Sequence, residues 1–334
     1  MIDNKSVYID HALEIHKNIY TVNWNIGNQC NYRCSYCSDL LNGGSAKWTE
    51  PEIINGFADR IIAQYSKNKD IVFEFTGGEV TLYKELYNVL KYLKERNCYT
   101  SILTNGSPKL DYWKKMKDVL DYVTLSFHAE HANAELFYSN VEYLHKHLNV
   151  HVNVMMHNKL FDISRSLGEK MLDGFNDLSL SFQPLLQSLT NEKILLDYTE
   201  EQMEMIKELD TARVRKMEIK EQRYKGEMRE YFIDGRSNDI SPERFIAERR
   251  NNWKGWFCWA GLEQIVITQE RQVYRAWCLQ DQVGEVGKEF DLPTNPVVCT
   301  KSKCHCNLDI ATKKQCNLII TPDNIKDFSE VGVI

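Results

Sequence analysis

From residue 20 onward the chain alternates short β-branched or aromatic runs with longer stretches whose apolar residues recur at helical spacing. The short runs, at 21–26, 71–75, 100–104, 123–127, 150–156 and 178–182, are bounded by Gly, Asn or polar residues and predict strands. The longer stretches predict helices over 51–65, 82–96, 111–117 and 134–147. Thr49-Glu50-Pro51-Glu52 has the form of a helix start, with Thr49 as cap and a Glu three residues on. Alternation of this kind predicts an α/β fold, a parallel sheet wrapped by crossover helices. Residues 1–19 predict an N-terminal cap with one helix over 10–18. Residues 20–189 hold the alternating pattern, 190–254 form a charged bridging segment, and 255–334 form a cysteine-rich domain with a hairpin over 262–268 and 272–277.

Composition adds little to this picture until the cysteines are counted. At 334 residues, 43% hydrophobic and 26% charged, the chain has the make-up of a globular protein with a sizeable core. No stretch approaches the ~18 consecutive apolar residues of a membrane span, and the N-terminus lacks the basic and apolar regions of a signal peptide. The expectation is a cytoplasmic protein. A formal charge of −6 argues against a general nucleic-acid binder. Between 213 and 254, however, twelve Lys/Arg face eight Asp/Glu. Such a run is ordinarily a solvated face. The alternative is that Arg213, Arg223, Arg229, Arg244 or Arg250 meets an anionic substrate. Ten cysteines in a chain without an export signal point to metal rather than disulfides.

Three of them stand in Cys30-Asn31-Tyr32-Arg33-Cys34-Ser35-Tyr36-Cys37, just after the first predicted strand. Thiolates are soft ligands for iron–sulfur clusters or zinc, and three leave a four-coordinate set open. Packing or zinc cysteines are the competing reading. The spacing Cys-x3-Cys-x2-Cys, with an aromatic residue before the last Cys, resembles the signature of the radical S-adenosylmethionine (radical SAM) enzymes. The resemblance implies a partial (β/α)6 barrel over residues 20–185. It implies a [4Fe–4S] cluster on Cys30, Cys34 and Cys37, with S-adenosylmethionine on the open iron, cleaved reductively to a 5'-deoxyadenosyl radical. Phe75-Thr76-Gly77-Gly78-Glu79 resembles the family's Gly-Gly-Glu motif, which holds the amino group of S-adenosylmethionine. By the same resemblance Tyr36, Gly77, Gly78, Glu79, Asn105, Ser126 and His128 are cofactor-binding candidates. Asn105 and Ser126 have ordinary turn chemistry as their alternative. His157 is open to a satisfied loop position, and Cys98 to a buried small hydrophobe.

The remaining cysteines are Cys258, Cys278, Cys299, Cys304, Cys306 and Cys316. A Cys, a Gly, a hairpin, a Cys and then a close Cys group resembles the twitch or SPASM domains, which bind auxiliary [4Fe–4S] clusters. Six cysteines fall short of a two-cluster SPASM domain, so one auxiliary cluster is expected, drawn from Cys258, Cys278, Cys299, Cys304 and Cys306. Zinc is the alternative for four thiolates, and Cys316 is expected to be a bystander. The resemblance implies hydrogen-atom abstraction from a small molecule, with net oxidation, and an electron donor such as flavodoxin or ferredoxin. The alternatives are a peptide maturase that epimerises or crosslinks, and, from another class, a non-catalytic iron–sulfur or zinc protein.

Overall fold

The computed structural model describes residues 6–185, 196–216, 225–304 and 306–317. Six parallel strands follow one another in chain order: β2 (Ile19–Asn25), β3 (Asp70–Thr76), β4 (Tyr99–Thr104), β5 (Tyr122–Phe127), β6 (Asn149–Met156) and β7 (Ser179–Pro184). These are the six strands that the apolar runs predict. The helices Pro51–Tyr65, Leu86–Lys94, Leu110–Met116, Ala134–His145 and Phe161–Gly174 return the chain between them. Because strand order follows chain order, right-handed crossovers all land on one face of the sheet, and a sheet wound this way curls into a barrel segment.

Alternation along the strands shows which face that is. Val22, Trp24, Phe73, Phe75, Ile102, Val123, Leu125 and Phe127 pack with Ile54, Phe57, Leu90, Trp113, Phe137 and Leu144 of the helices in one core. Residues of the opposite parity point to the inner face. In β5, β6 and β7 those inner positions are only half-buried.

The C-terminal region is woven into this sheet. β11 (Gln264–Ile267) runs parallel to β2, with Gln264 beside Thr21 and Ile267 beside Trp24. β12 (Gln272–Tyr274) and β13 (Gln282–Glu285) extend it antiparallel, giving nine strands. A second sheet is built from β1 (Ser6–His11), β8 (Met228–Phe232), β9 (Ser237–Ile240), β10 (Phe257–Cys258), β14 (Val297–Val298) and β15 (Lys314–Gln315). Its strand order is β14-β10-β15-β1-β8-β9.

Two expectations are corrected. The helix expected over 10–18 is instead the strand Ser6–His11 and a single turn, Glu14–Lys17. β1 has two partners, β15 and β8, and its ladder outweighs the weak helical periodicity of this short stretch. Thr49 does not cap its helix. Glu50 occupies the cap position without a side-chain bond. Thr49 ties its N–H to the Ile26 carbonyl at 2.9 Å instead, and Pro51 at the first turn removes one N–H that a cap would have served. Among the described residues, no helix is long and apolar enough to cross a membrane.

Candidate active site and candidate metal centre

Cys30, Cys34 and Cys37 follow the C-terminal end of β2, where parallel barrels place their chemistry. All three are free thiols, Cys34 buried and the others half-buried. Burial pushes the Cys34 thiol up to about 12, and Cys37 and Cys30 add to the rise. Burial raises Cys30 too, and thiols close enough to feel one another's charge suit a shared metal group that would bind them as thiolates.

Three separate anchors hold this loop. The first is backbone to backbone. Gly78 donates its N–H to Gly27 O at 2.9 Å and Glu79 to Gln29 O at 2.7 Å. A Cβ on Gly77 would run into Gly27 O, and one on Gly78 into Gln29 O; Gly77 also has φ +141°. Only glycines let the two segments close.

The second anchor runs through Asn105, whose amide donates to Asn31 Oδ1 at 2.8 Å, while Asn31 donates to Ser107 at 3.0 Å. Glu79 lies beneath. Its carboxylate is 0% exposed and accepts from Thr81 N–H (3.0 Å), Thr81 Oγ1 (2.6 Å), Thr104 Oγ1 (2.7 Å) and Asn105 N–H (2.6 Å). Burial raises its pKa, and these bonds pull it part of the way back. Three of these donors meet Oε1 and one meets Oε2, so Oε2 keeps acceptor capacity for a further donor. Glu79 thus ties the ends of β3 and β4 together from inside.

The third anchor was not foreseen. Glu130 accepts from Ser35 N–H (2.7 Å) and Ser35 Oγ (2.6 Å), and faces His157 Nε2 at 3.2 Å. Burial works to raise the Glu130 carboxyl, but the bonds from Ser35 outweigh it and leave the group below the usual range. His131 Nε2 accepts from Arg33 N–H at 3.3 Å. His128 Nδ1 meets the Tyr36 hydroxyl at 2.6 Å with the two rings stacked, and burial pushes this histidine down to about 4. Cys34, Glu130 and His131 bring ligand atoms within 4.8 Å of one another, so a metal held by the loop would sit beside this carboxylate and imidazole. Glu130 and His131 lie three and four residues past the end of β5. Polar residues just beyond a parallel strand were the available signal. His157 is a satisfied loop histidine, with its Nδ1 accepting from Lys159 and Leu160 N–H. Ser126 stands apart on the inner face, near Asn153.

The second cysteine group lies at the other end of β2. Tyr20 and Thr21 contact Gly261 and Glu263, which lead into β11. There Cys258, Cys278, Cys299 and Cys304 line one cavity with Trp253, Ala260 and Asp309, an empty space of about 460 Å³ continuous with solvent. They come from three segments, with Cys299 and Cys304 sharing one. Cys258 is in β10, between β14 and β15. Cys278 N–H donates to buried Asp309 at 2.8 Å, Cys299 N–H to Trp256 O at 2.8 Å, and Cys304 N–H to Asn251 O at 2.8 Å. Burial pushes Cys278 up to about 12 and raises Cys258 and Cys304 as well. An all-sulfur set in a buried pocket fits a cubane or zinc. Cys306 is not among the lining residues; it precedes the short helix Asn307–Ile310. Cys316 is tied by its N–H to Val7 O, and Cys98 is buried in the main core.

The arginines considered for an anionic substrate are paired with carboxylates instead. Arg213 meets Asp210 at 2.8 Å, Arg229 meets Asp239 at 2.7 Å, and Arg244 meets Glu248 at 2.6 Å. Arg250 meets both Glu248 and Glu230. Arg223 lies outside the described residues.

Residues 24–165 match the family model of the radical SAM superfamily. The barrel is a radical SAM domain. The family implies a [4Fe–4S] cluster and S-adenosylmethionine, and the three-thiol loop fits them. The chain is also similar to an S-adenosylmethionine-dependent nucleotide dehydratase of Fibrobacter sp. (strain UWH6), 34% identical over 92 residues, covering 26% of this chain and 27% of that protein. A protein of the same description from Psychrobacter lutiphocae is 30% identical over 96 residues, covering 26% of this chain and 32% of that protein. The chain thus spans about a third or less of these curated relatives. Among solved structures, histidine-tagged anSMEcpe with bound AdoMet is similar in fold. Its TM-score is 0.55 at 17% identity, covering 81% of this chain and 78% of that one.

Proposed function

We propose that this protein is a cytoplasmic radical SAM oxidoreductase acting on a small molecule. In this reading Cys30, Cys34 and Cys37 hold the S-adenosylmethionine-binding cluster, and Cys258, Cys278, Cys299 and Cys304 hold one auxiliary [4Fe–4S] cluster. When bound, these groups supply a 5'-deoxyadenosyl radical that takes a hydrogen atom from the substrate, and an acceptor for the electron left behind.

The observation that carries the reading is the convergence of four half-buried thiols on one cavity at the far end of the strand that feeds the three-thiol loop. From Thr21 to Asn25 alone β2 rises about 13 Å. That separation suits an electron acceptor better than a group that ligates substrate beside the radical. The protein's own part in the reaction is placement. Gly77–Gly78, Asn105 and Glu130 fix the loop from three sides, and Asp309 fixes Cys278 through two backbone bonds, to Trp277 (3.0 Å) and Cys278 (2.8 Å).

Anaerobic reconstitution followed by reduction with dithionite or flavodoxin tests this. The expected result is 5'-deoxyadenosine from S-adenosylmethionine and about eight irons per chain, two cubanes. About four irons with one zinc would make the C-terminal centre structural. No 5'-deoxyadenosine would favour a non-catalytic metal protein.

A further inference from the structure

The inner face of the barrel has a composition unusual for a parallel sheet, whose two faces are normally both apolar. Ser126, Asn153 and Ser181 stand side by side across β5, β6 and β7, and one row below them His151 stands beside Ser179. Their side chains form a continuous network. His151 Nε2 meets Asn153 Oδ1 at 2.7 Å, Ser181 Oγ donates to Asn153 Oδ1 at 2.6 Å, and His151 Nδ1 meets Ser179 Oγ at 3.0 Å. All of these positions are half-buried, in an otherwise alternating buried pattern, so the network faces open space rather than a packed layer.

Farther along the same face, Glu74 accepts from Ser101 at 3.1 Å, and beside it stands Asn23. Asn23 is 0% exposed, and neither Nδ2 nor Oδ1 has a hydrogen-bond partner. A buried amide with both ends unpaired costs several kcal/mol unless a ligand or water meets it.

Charge narrows the choice of ligand. The six strands of the barrel contain no Lys or Arg at all. Phosphate and carboxylate recognition relies on those cations, and Arg229, Arg244 and Arg250 outside the sheet are paired with carboxylates. Hydroxyl, amide and imidazole groups, each able to donate and accept, suit a ligand of the same kind. Rows on neighbouring strands are about 4.8 Å apart, a spacing one hydroxylated ring bridges.

We propose that this face binds the uncharged, hydroxylated ring of the substrate, as in a sugar, a cyclitol or a nucleoside. His151, Asn153 and Ser181 are its hydrogen-bonding partners, with Ser126 left to S-adenosylmethionine as the resemblance implies, and Asn23 and Glu74 lie deeper. This rests on the barrel being the catalytic domain proposed above, and it names the substrate class of that site.

Saturation-transfer NMR on the anaerobically reconstituted protein with S-adenosylmethionine provides the test. The probes are myo-inositol, glucose and uridine, each beside its monophosphate. At least one neutral ring should bind at millimolar or better affinity, with its phosphate gaining less than about threefold. Asn153→Leu should weaken that ring by about tenfold or more, and Ser181→Ala, which removes only a hydroxyl, by a smaller factor. Three outcomes overturn the proposal: no neutral ring binding at about 10 mM, a phosphate gaining more than about tenfold, or ring affinity unchanged in both variants. Reductive cleavage of S-adenosylmethionine by the wild-type protein without any ring compound tests the parent reading separately.

Discussion

Cys30, Cys34 and Cys37 lie within one loop, whereas Cys258, Cys278 and the pair Cys299 and Cys304 reach their cavity from three separate segments. The loop, with Cys34 buried, is held by backbone bonds at the end of β3 and by side chains at the end of β4 and beyond β5. The cavity is lined by buried Asp309 and Lys314 and is continuous with solvent. The difference teaches that a three-thiol site can be carried by sequence spacing, while a four-thiol one is completed by tertiary structure. A site that must admit a ligand leaves one position unclosed and needs an approachable loop. A site that only stores a metal group can be buried and assembled from afar.

The sharpest way to break this comparison is to remove one thiol at each end. Cys34→Ala is expected to lose about four irons and all cleavage of S-adenosylmethionine, and Cys304→Ala to lose about four irons while cleavage persists. Iron analysis and 5'-deoxyadenosine assays read both, and an identical phenotype would erase the distinction.

Next in size is Asp309→Leu. It strands the N–H groups of Trp277 and Cys278 and the Gln264 amide, each worth about 1–3 kcal/mol when buried without a partner. Denaturant melts should show a loss of roughly 3–5 kcal/mol and a C-terminal centre that no longer fills.

Lys225 gives the C-terminal region a pH signature. Burial pushes its pKa down to about 8, below the unfolded value of about 10.4, so the unfolded chain binds the extra proton between those limits. Stability should therefore rise with pH across that window, by as much as about 3 kcal/mol, and Lys225→Met should flatten that rise. Parallel slopes in the two proteins would rule the effect out.

The smallest change is expected at the loop end. Glu79→Gln keeps the shape but turns one acceptor into a donor facing Thr81 and Thr104 or Asn105, costing about 1–2 kcal/mol of stability. Calorimetry that finds S-adenosylmethionine affinity lowered with stability intact would favour a direct ligand role for Glu79.

The legibility of the chain divides along the same line. The six strands and the loop cysteines were readable because β-branched runs and Cys spacing are local. Glu130 and His131 were missed because their partner, the cysteine loop, lies about a hundred residues away in sequence. The inner face was also written locally. Val150-His151-Val152-Asn153-Val154 alternates clearly, but it resembles an ordinary strand until the helices are known to share one side. The choice of Gln264–Ile267 as neighbour to β2, and the cysteines that this choice gathers, belongs to tertiary packing. No run of residues near either strand encodes it.

That neighbour has a consequence for the fate of a metal-starved chain. β2 is buried along its whole length and is hydrogen-bonded on both sides only while β11 stays in place. If the C-terminal segment let go for want of its metal, an apolar strand would be left with a bare row of N–H and C=O groups, a template for pairing with other chains. Iron supply would then govern solubility as well as activity, and such molecules would be cleared as aggregates before they could compete for substrate.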